Sequence, residues 1–190
     1  MSVLPIVLYD DPVLRRKAAE IKEDSPELQQ LIDDMFETMY NGNGVGLAAP
    51  QIGESLSLFV IDADPMTEDE PEEEDLGKMV FINPKISFSK DEEKIKMDEG
   101  CLSIPGLREP VSRPDKITVE YQDRHLKPHK KEFTGWVSRV IQHEFDHLEG
   151  VLFIDYLGSF KKRLLAGKLR QVNDGLIDAG YPVRVPDTAG

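Results

Sequence analysis

The chain has 190 residues, about one domain's length, and its 39% apolar and 31% charged content is ordinary for a globular protein. No apolar run approaches the ~18 residues of a membrane helix, and the opening 14 residues carry neither a secretion signal nor a transit-peptide pattern, so a cytoplasmic protein without a membrane partner is expected. The net charge of −13 argues against whole-surface nucleic-acid or DNA binding. Much of it is local: residues 62–75 hold nine acidic side chains and no basic one, and outside that block 23 basic residues face 27 acidic ones.

In chain order, a short helix is expected from Asp11-Pro12. The next is capped by Ser25, starts with Pro26 and Glu27, and carries Leu28, Leu31, Ile32, Met35 and Met39 at helical spacing. Asn41-Gly42-Asn43-Gly44 stops it. Short strands follow over residues 56–61, 79–82, 95–97, 117–121 and 151–154. Turns are expected at Asn83-Pro84, Ile104-Pro105-Gly106 and Arg113-Pro114-Asp115. Residues 62–77 read as an acidic, flexible insertion. A helix is expected over 135–148, with Val137, Val140, Ile141 and Leu148 as its apolar positions, and a last one over 159–171 before a tail. Strands with a few helices and no βαβ rhythm predict a single α+β domain over 1–190, with 159–190 as its C-terminal helix and tail.

The sharpest chemical signal is His143-Glu144-Phe145-Asp146-His147, which fits H-E-x-x-H. On a helix, positions four apart share a face, so both imidazoles can reach one cation. A catalytic centre of this kind takes three protein ligands and one open position. The metzincin position for a third histidine holds Phe153, and the only Glu after His147 is Glu149, too close for a thermolysin-like arrangement. Cys101, the single cysteine, remains as a thiolate donor; taken by itself it reads more readily as a buried apolar residue. A third segment, residues 44–51, combines small residues and two glycines with Gln51, whose amide can stabilise an oxyanion; taken alone it is also a tight helix-to-strand turn.

Together, Gly44-Val45-Gly46-Leu47-Ala48-Ala49-Pro50-Gln51, Glu99-Gly100-Cys101-Leu102-Ser103 and residues 142–150 resemble, in order, the three signature motifs of the peptide deformylases. The resemblance extends from the region of Leu14 through Tyr156. It implies short, mostly antiparallel strands packed around a central helix that carries H-E-x-x-H, plus a C-terminal helix. It implies removal of the formyl group from formyl-methionine at the N-terminus of newly made proteins. Cys101, His143 and His147 are the implied ligands of ferrous iron, with zinc, nickel or cobalt able to take the same site. Glu144 is the implied general base and acid toward a water activated by the metal, and Gln51 and the Leu102 N–H the implied oxyanion donors.

The peptide is implied to lie extended against Gly46 and the strand near Ile104-Pro105-Gly106, by strand addition. The methionine pocket maps onto Val45, Met97, Trp136, Arg139 and Val140, and Arg108 matches a position that holds the far end of the peptide. Trp136 and Arg139 depart from the commoner aliphatic lining; packing at the pocket rim is the other reading of both. Arg139 is expected to fold its stem over the pocket and send its charge to solvent. Glu99 is expected to accept from a ligand histidine, Asp146 to pair with Arg113, and His125 and His129 to be solvated.

Residues 161–170 carry five basic side chains and no acidic one, so ribosome docking through phosphate contacts stands beside an ordinary solvated helix face. Two rival functions remain at this level. A zinc endopeptidase would cleave internal peptide bonds and keep its metal without Cys101. A structural metal module would need a fourth protein ligand.

Overall fold

The structure, a computed structural model, describes residues 1–67 and 76–186. Helix α1 (Pro26–Asn41) starts where the Ser25 hydroxyl accepts the Leu28 N–H at 3.2 Å. Strand β2 (Gly46–Ala48) leads into a 3-10 turn over Ala49–Ile52 and then β3 (Leu58–Asp62), the one-turn helix α2 (Asp64–Thr67) and β4 (Lys78–Ser87). Strands β5 (Lys94–Cys101) and β6 (Ile104–Pro114) form a hairpin, followed by β7 (Ile117–Gln122) and β8 (Pro128–Phe133). Helix α3 spans Gly135–Leu148 and α4 spans Ser159–Asn173. Near the termini, β1 (Ile6–Val7) pairs in parallel with β9 (Val183–Arg184).

Strands β2-β3-β4-β7-β8 make one antiparallel sheet in that order. Side chains alternate across a strand, and β3 is apolar on both faces. Leu58 and Val60 meet the buried face of α1 (Ile32, Met35, Met39), while Phe59 and Ile61 meet Val137, Ile141 and Leu148 of α3. The sheet is thus packed between the two helices, which sets α3 deep in the domain. A third apolar cluster joins Ile104, Leu107 and Val111 of β6 to Leu169 and Val172 of α4.

Several sequence expectations change here. Residues 151–154 are not a strand. The Asp155 carboxylate accepts the Leu152 N–H at 2.8 Å and turns the chain into a 3-10 helix over Phe153–Tyr156. Asn83-Pro84 is a bulge inside β4, not a turn: Asn83 adopts φ +50°, and its side chain bonds the Ile21 backbone and Gln122. Ile104-Pro105-Gly106 opens β6 instead of ending a strand. The acidic block starts later than residue 62, since Asp62 is buried at the end of β3 and accepts from the Tyr40 hydroxyl. The insertion expected over 62–77 otherwise lies largely outside the described residues, which resume at Leu76.

Candidate metal centre and active site

Helix α3 brings His143 and His147 onto one face, as spacing of four requires, with ring centroids 5.1 Å apart. Cys101, at the end of β5, approaches from the hairpin, and its Sγ lies 3.4 Å from His147 Nε2. The ligand atoms of Cys101, His143 and His147 lie within 4.8 Å of one another, the one such metal-competent cluster among the described residues. No fourth protein donor joins it among the described residues.

One of the two histidines is oriented from behind. His143 Nδ1 lies 3.0 Å from Glu99 Oε2, which turns Nε2 toward the cluster. Glu99 is itself held by Arg113 through two bonds of 2.6 and 2.9 Å and by Arg139 Nη1 at 2.8 Å. Arg113 continues to Asp146 at 2.7 Å, and the Tyr156 hydroxyl reaches the same carboxylate at 3.0 Å. Two carboxylates and two guanidiniums therefore share one nearly dry pocket. An isolated buried carboxylate would be driven neutral. Burial does push Glu99 up, but the bonds from His143 and Arg113 outweigh it, and its carboxyl falls to about 2.

Glu144 differs. Burial raises its carboxyl to about 7, and its Oε2 is buried without a hydrogen-bond partner. Its other oxygen lies against β2: a Cβ on Gly46 would sit 2.6 Å from Glu144 Oε1 and 2.9 Å from Val140 Cγ1. Only glycine lets that strand come so close. Burial and the nearby His143 and Arg113 cations lower His147, keeping its imidazole neutral and able to donate a lone pair. His143 is pushed up to about 10: burial opposes its charge, but Cys101, Glu99 and Glu144 favour it more strongly. The residues thus fit a cation, since one sulfur and two imidazole nitrogens, a donor set for a borderline or soft metal, converge within 4.8 Å.

A cleft of about 410 Å³ opens over this cluster. Of the residues singled out from sequence, Val45, Gly46, Gln51, Cys101, Leu102, Arg108, Trp136, Arg139, Val140, His143 and Glu144 line it, and His147 is buried beside Cys101. Gln51 Oε1 accepts the Ala48 N–H at 2.8 Å, which aims Nε2 at Cys101 Sγ and Ser103 Oγ, both at 3.4 Å.

The family model described as "Polypeptide deformylase" matches residues 3–163. The chain belongs to that family. It is 47% identical over 192 residues to a peptide deformylase of Christiangramia forsetii, covering 97% of each chain. It is 48% identical over 188 residues to that of Salinibacter ruber, covering 97% of this chain and 96% of the other. The crystal structure of peptide deformylase from Ehrlichia chaffeensis in complex with actinonin superimposes with a TM-score of 0.82 at 38% identity, over 92% of this chain and 98% of that one. The protein is accordingly a metal-dependent hydrolase that removes the formyl group from formyl-methionine peptides.

Two expectations about the pocket fail. Arg139 does not send its charge to solvent; it is 4% exposed and spends its donors on Glu99, Val111 O and Ile95 O. Buried carboxylate and carbonyl acceptors on β5 and β6 outbid water for it. Met97 is not among the residues that line the cleft; it lies half-buried in β5 opposite Val111. Trp136 does line it, 45% exposed. His129 is not simply solvated: it stacks on Tyr121 and lies 2.7 Å from Asp123. The sequence reading missed Asp178, Ala179 and Tyr181, which line the cleft from the C-terminal tail. No local motif marks them.

Proposed function

We propose that Cys101, His143 and His147 hold the metal and that Glu144 is the general base and acid of deformylation. The observation that carries this is the unpartnered Glu144 Oε2, buried in a cleft wall beside three converged donors. When bound, the cation acidifies a water and polarises the formyl carbonyl. Glu144 takes the proton of the attacking water, then returns it to the departing amine nitrogen, so that formate and a free amino terminus leave. Burial raises the Glu144 carboxyl, which helps it to hold the proton between the two transfers. Gln51 Nε2 and the Leu102 N–H donate to the developing oxyanion. The peptide backbone lies between Gly46 and the start of β6, with Arg108 toward its far end. The methionine side chain enters between Val45, Val140 and Trp136. A formyl carbon carries only hydrogen, so this crowded site excludes acetyl groups by size.

The resident metal in this reading is ferrous iron, with zinc, nickel and cobalt as replacements that the same donors accept. The chain works as one catalytic unit over 1–190 in the cytoplasm. No helix of the described residues is long and apolar enough to cross a membrane. Ribosome docking through residues 161–170 is the partner reading. Arg163 and Arg170 are exposed and make no ion pair among the described residues, whereas Lys161 pairs with Glu109 at 3.0 Å. Charge reversal at Lys161 and Lys162 tests it: salt-sensitive ribosome binding should be lost, and unchanged binding refutes docking.

The central test is formate release from a short formyl-Met peptide by anaerobically prepared, ferrous-loaded protein, with Glu144→Ala alongside. The variant should retain metal and lose about 10³-fold or more in kcat. A metal-replete variant of undiminished rate would refute the role of Glu144. No release by the metal-replete parent would return the endopeptidase and structural-metal readings to the front.

A further inference from the structure

The chain beyond α4 is absent from the family model's match, which ends at residue 163, yet it returns to the cleft. Helix α4 ends with Gly175 at φ +66°, where the Gly175 and Leu176 N–H groups bond the Val172 and Gln171 carbonyls and reverse the chain. Ile177 then packs into the cluster of Ile104 and Leu107. Tyr181 follows, half-buried, and its hydroxyl donates to the Leu102 carbonyl at 2.7 Å. We propose that Tyr181 is a positioning residue for deformylation, setting the Leu102 peptide units so that the Leu102 N–H points at the formyl oxygen. The inference rests on the oxyanion role of Leu102 proposed above.

Leu102 needs such a restraint. It lies in the two-residue turn between β5 and β6, outside both strands, at a register shift that ends the β5–β6 ladder. The side chains of its neighbours Cys101 and Ser103 receive long 3.4 Å contacts from Gln51. Its side chain packs over Gly44, where a Cβ would come within 2.9 Å of Leu102 Cδ1. The Tyr181 bond is the short polar contact on this residue, and it acts one carbonyl away from the donor N–H. The bond fixes the Leu102–Ser103 peptide plane, which is joined at the Leu102 Cα to the Cys101–Leu102 plane that carries the donor N–H. Holding one plane narrows the Leu102 dihedrals and so the direction of the other, and an oxyanion donor is useful only at its proper distance.

The tail does not depend on this bond for its own placement. Val183 and Arg184 pair with Ile6 and Val7. The Arg184 guanidinium fills the space over Gly53, where a Cβ would meet Nη2 at 2.6 Å. Gly53 ends the 3-10 turn that carries Gln51, so both proposed oxyanion donors are braced by one tail. With the ring of Tyr181 held on both sides, removal of its hydroxyl leaves the tail in position.

Tyr181→Phe in the full-length, ferrous-loaded protein therefore tests positioning against a simple structural latch. Positioning predicts kcat about three- to tenfold lower, the loss expected for one hydrogen bond, with KM within about twofold of the parent and metal content and Tm unchanged. A latch predicts a lower Tm with kcat intact, and that result would overturn the inference. Ile177→Ala loosens the tail without touching the hydroxyl; it should lower Tm and spare kcat, and a kcat loss equal to that of Tyr181→Phe would count against a specific role. Gln51→Ala keeps the two readings apart. Full activity of Gln51→Ala would sink the oxyanion assignment itself. An impaired Gln51→Ala beside a fully active Tyr181→Phe would sink this inference alone.

Discussion

Helices α3 and α4 carry the same number of ionisable side chains, five each, and treat them in opposite ways. On α3, Arg139, His143, Glu144 and His147 are buried and Asp146 nearly so. On α4, Lys161, Lys162, Arg163, Lys168 and Arg170 are all exposed. Charge count therefore says nothing about what a charge does; the acceptors within reach decide it. Around α3 the hairpin β5–β6 supplies Glu99, Arg113 and backbone carbonyls, and the resulting network fixes His143. Around α4 water supplies most of the solvation, and only a few long side chains touch the domain.

The difference is most exposed by Arg113→Leu. The substitution leaves Glu99 short of two bonds and Asp146 short of its ion pair, both in a dry pocket. Breaking a buried pair on one side costs about 3–5 kcal/mol, read as a lower denaturation midpoint, and the freed His143 should retain metal more weakly. A midpoint equal to the parent's would mean that the network contributes no stability. Second in size is Gly46→Ala. Its Cβ would overlap Glu144 and Val140, so β2 or Glu144 must move by about 1 Å. A displacement of that order near reacting atoms costs about 10²-fold in rate. Steady-state kinetics with an intact circular-dichroism spectrum would separate this from unfolding, and a variant of parental kcat would refute the close-approach argument.

The same contrast explains what the sequence could reveal. Helices α1 and α3 were legible because capping and apolar spacing are local, and α3 is found over the residues expected, 135–148. His143 and His147 were legible as a pair because a spacing of four on one helix is local, whereas Cys101 lies forty-two residues before His143 and only the resemblance joined it to them; the fold brings all three together. Strand β6 was not, although its burial alternates with period two. Its inward positions include Glu109 and Arg113, which are charged, and prolines sit at residues 105, 110 and 114; each mimics a surface turn until its partner is known. Strand β8 is polar because it is the edge of its sheet. The burial of Arg139 depends on Glu99, forty residues earlier, and Tyr181 meets Leu102 across seventy-nine. Pairings at such distance leave no local pattern.

Arg139→Met sharpens the comparison on the α3 side. It keeps the length of the side chain and removes one of Glu99's two guanidiniums, together with the bonds to Val111 O and Ile95 O. Arg113 still neutralises Glu99, so the loss should be about 1–3 kcal/mol in a denaturant titration, smaller than for Arg113→Leu. Equal losses in the two variants would show that Glu99 needs both cations.

On α4 the smallest effect is expected from Lys162→Ala. Lys162 donates to the Asp155 carbonyl at 3.0 Å, but it is exposed and its acceptor can turn to water. Nothing is left both buried and unpaired, so none of the mechanisms behind large destabilisation applies, and the change should stay within about 0.5 kcal/mol. Alanine also has the higher helix propensity, which offsets part of the lost bond. A denaturation midpoint shifted as far as that of Arg139→Met would show that α4 is fastened to the domain by its polar side chains. Its hold on β6 would then lie in contacts such as Lys161–Glu109 and not in Leu169 and Val172.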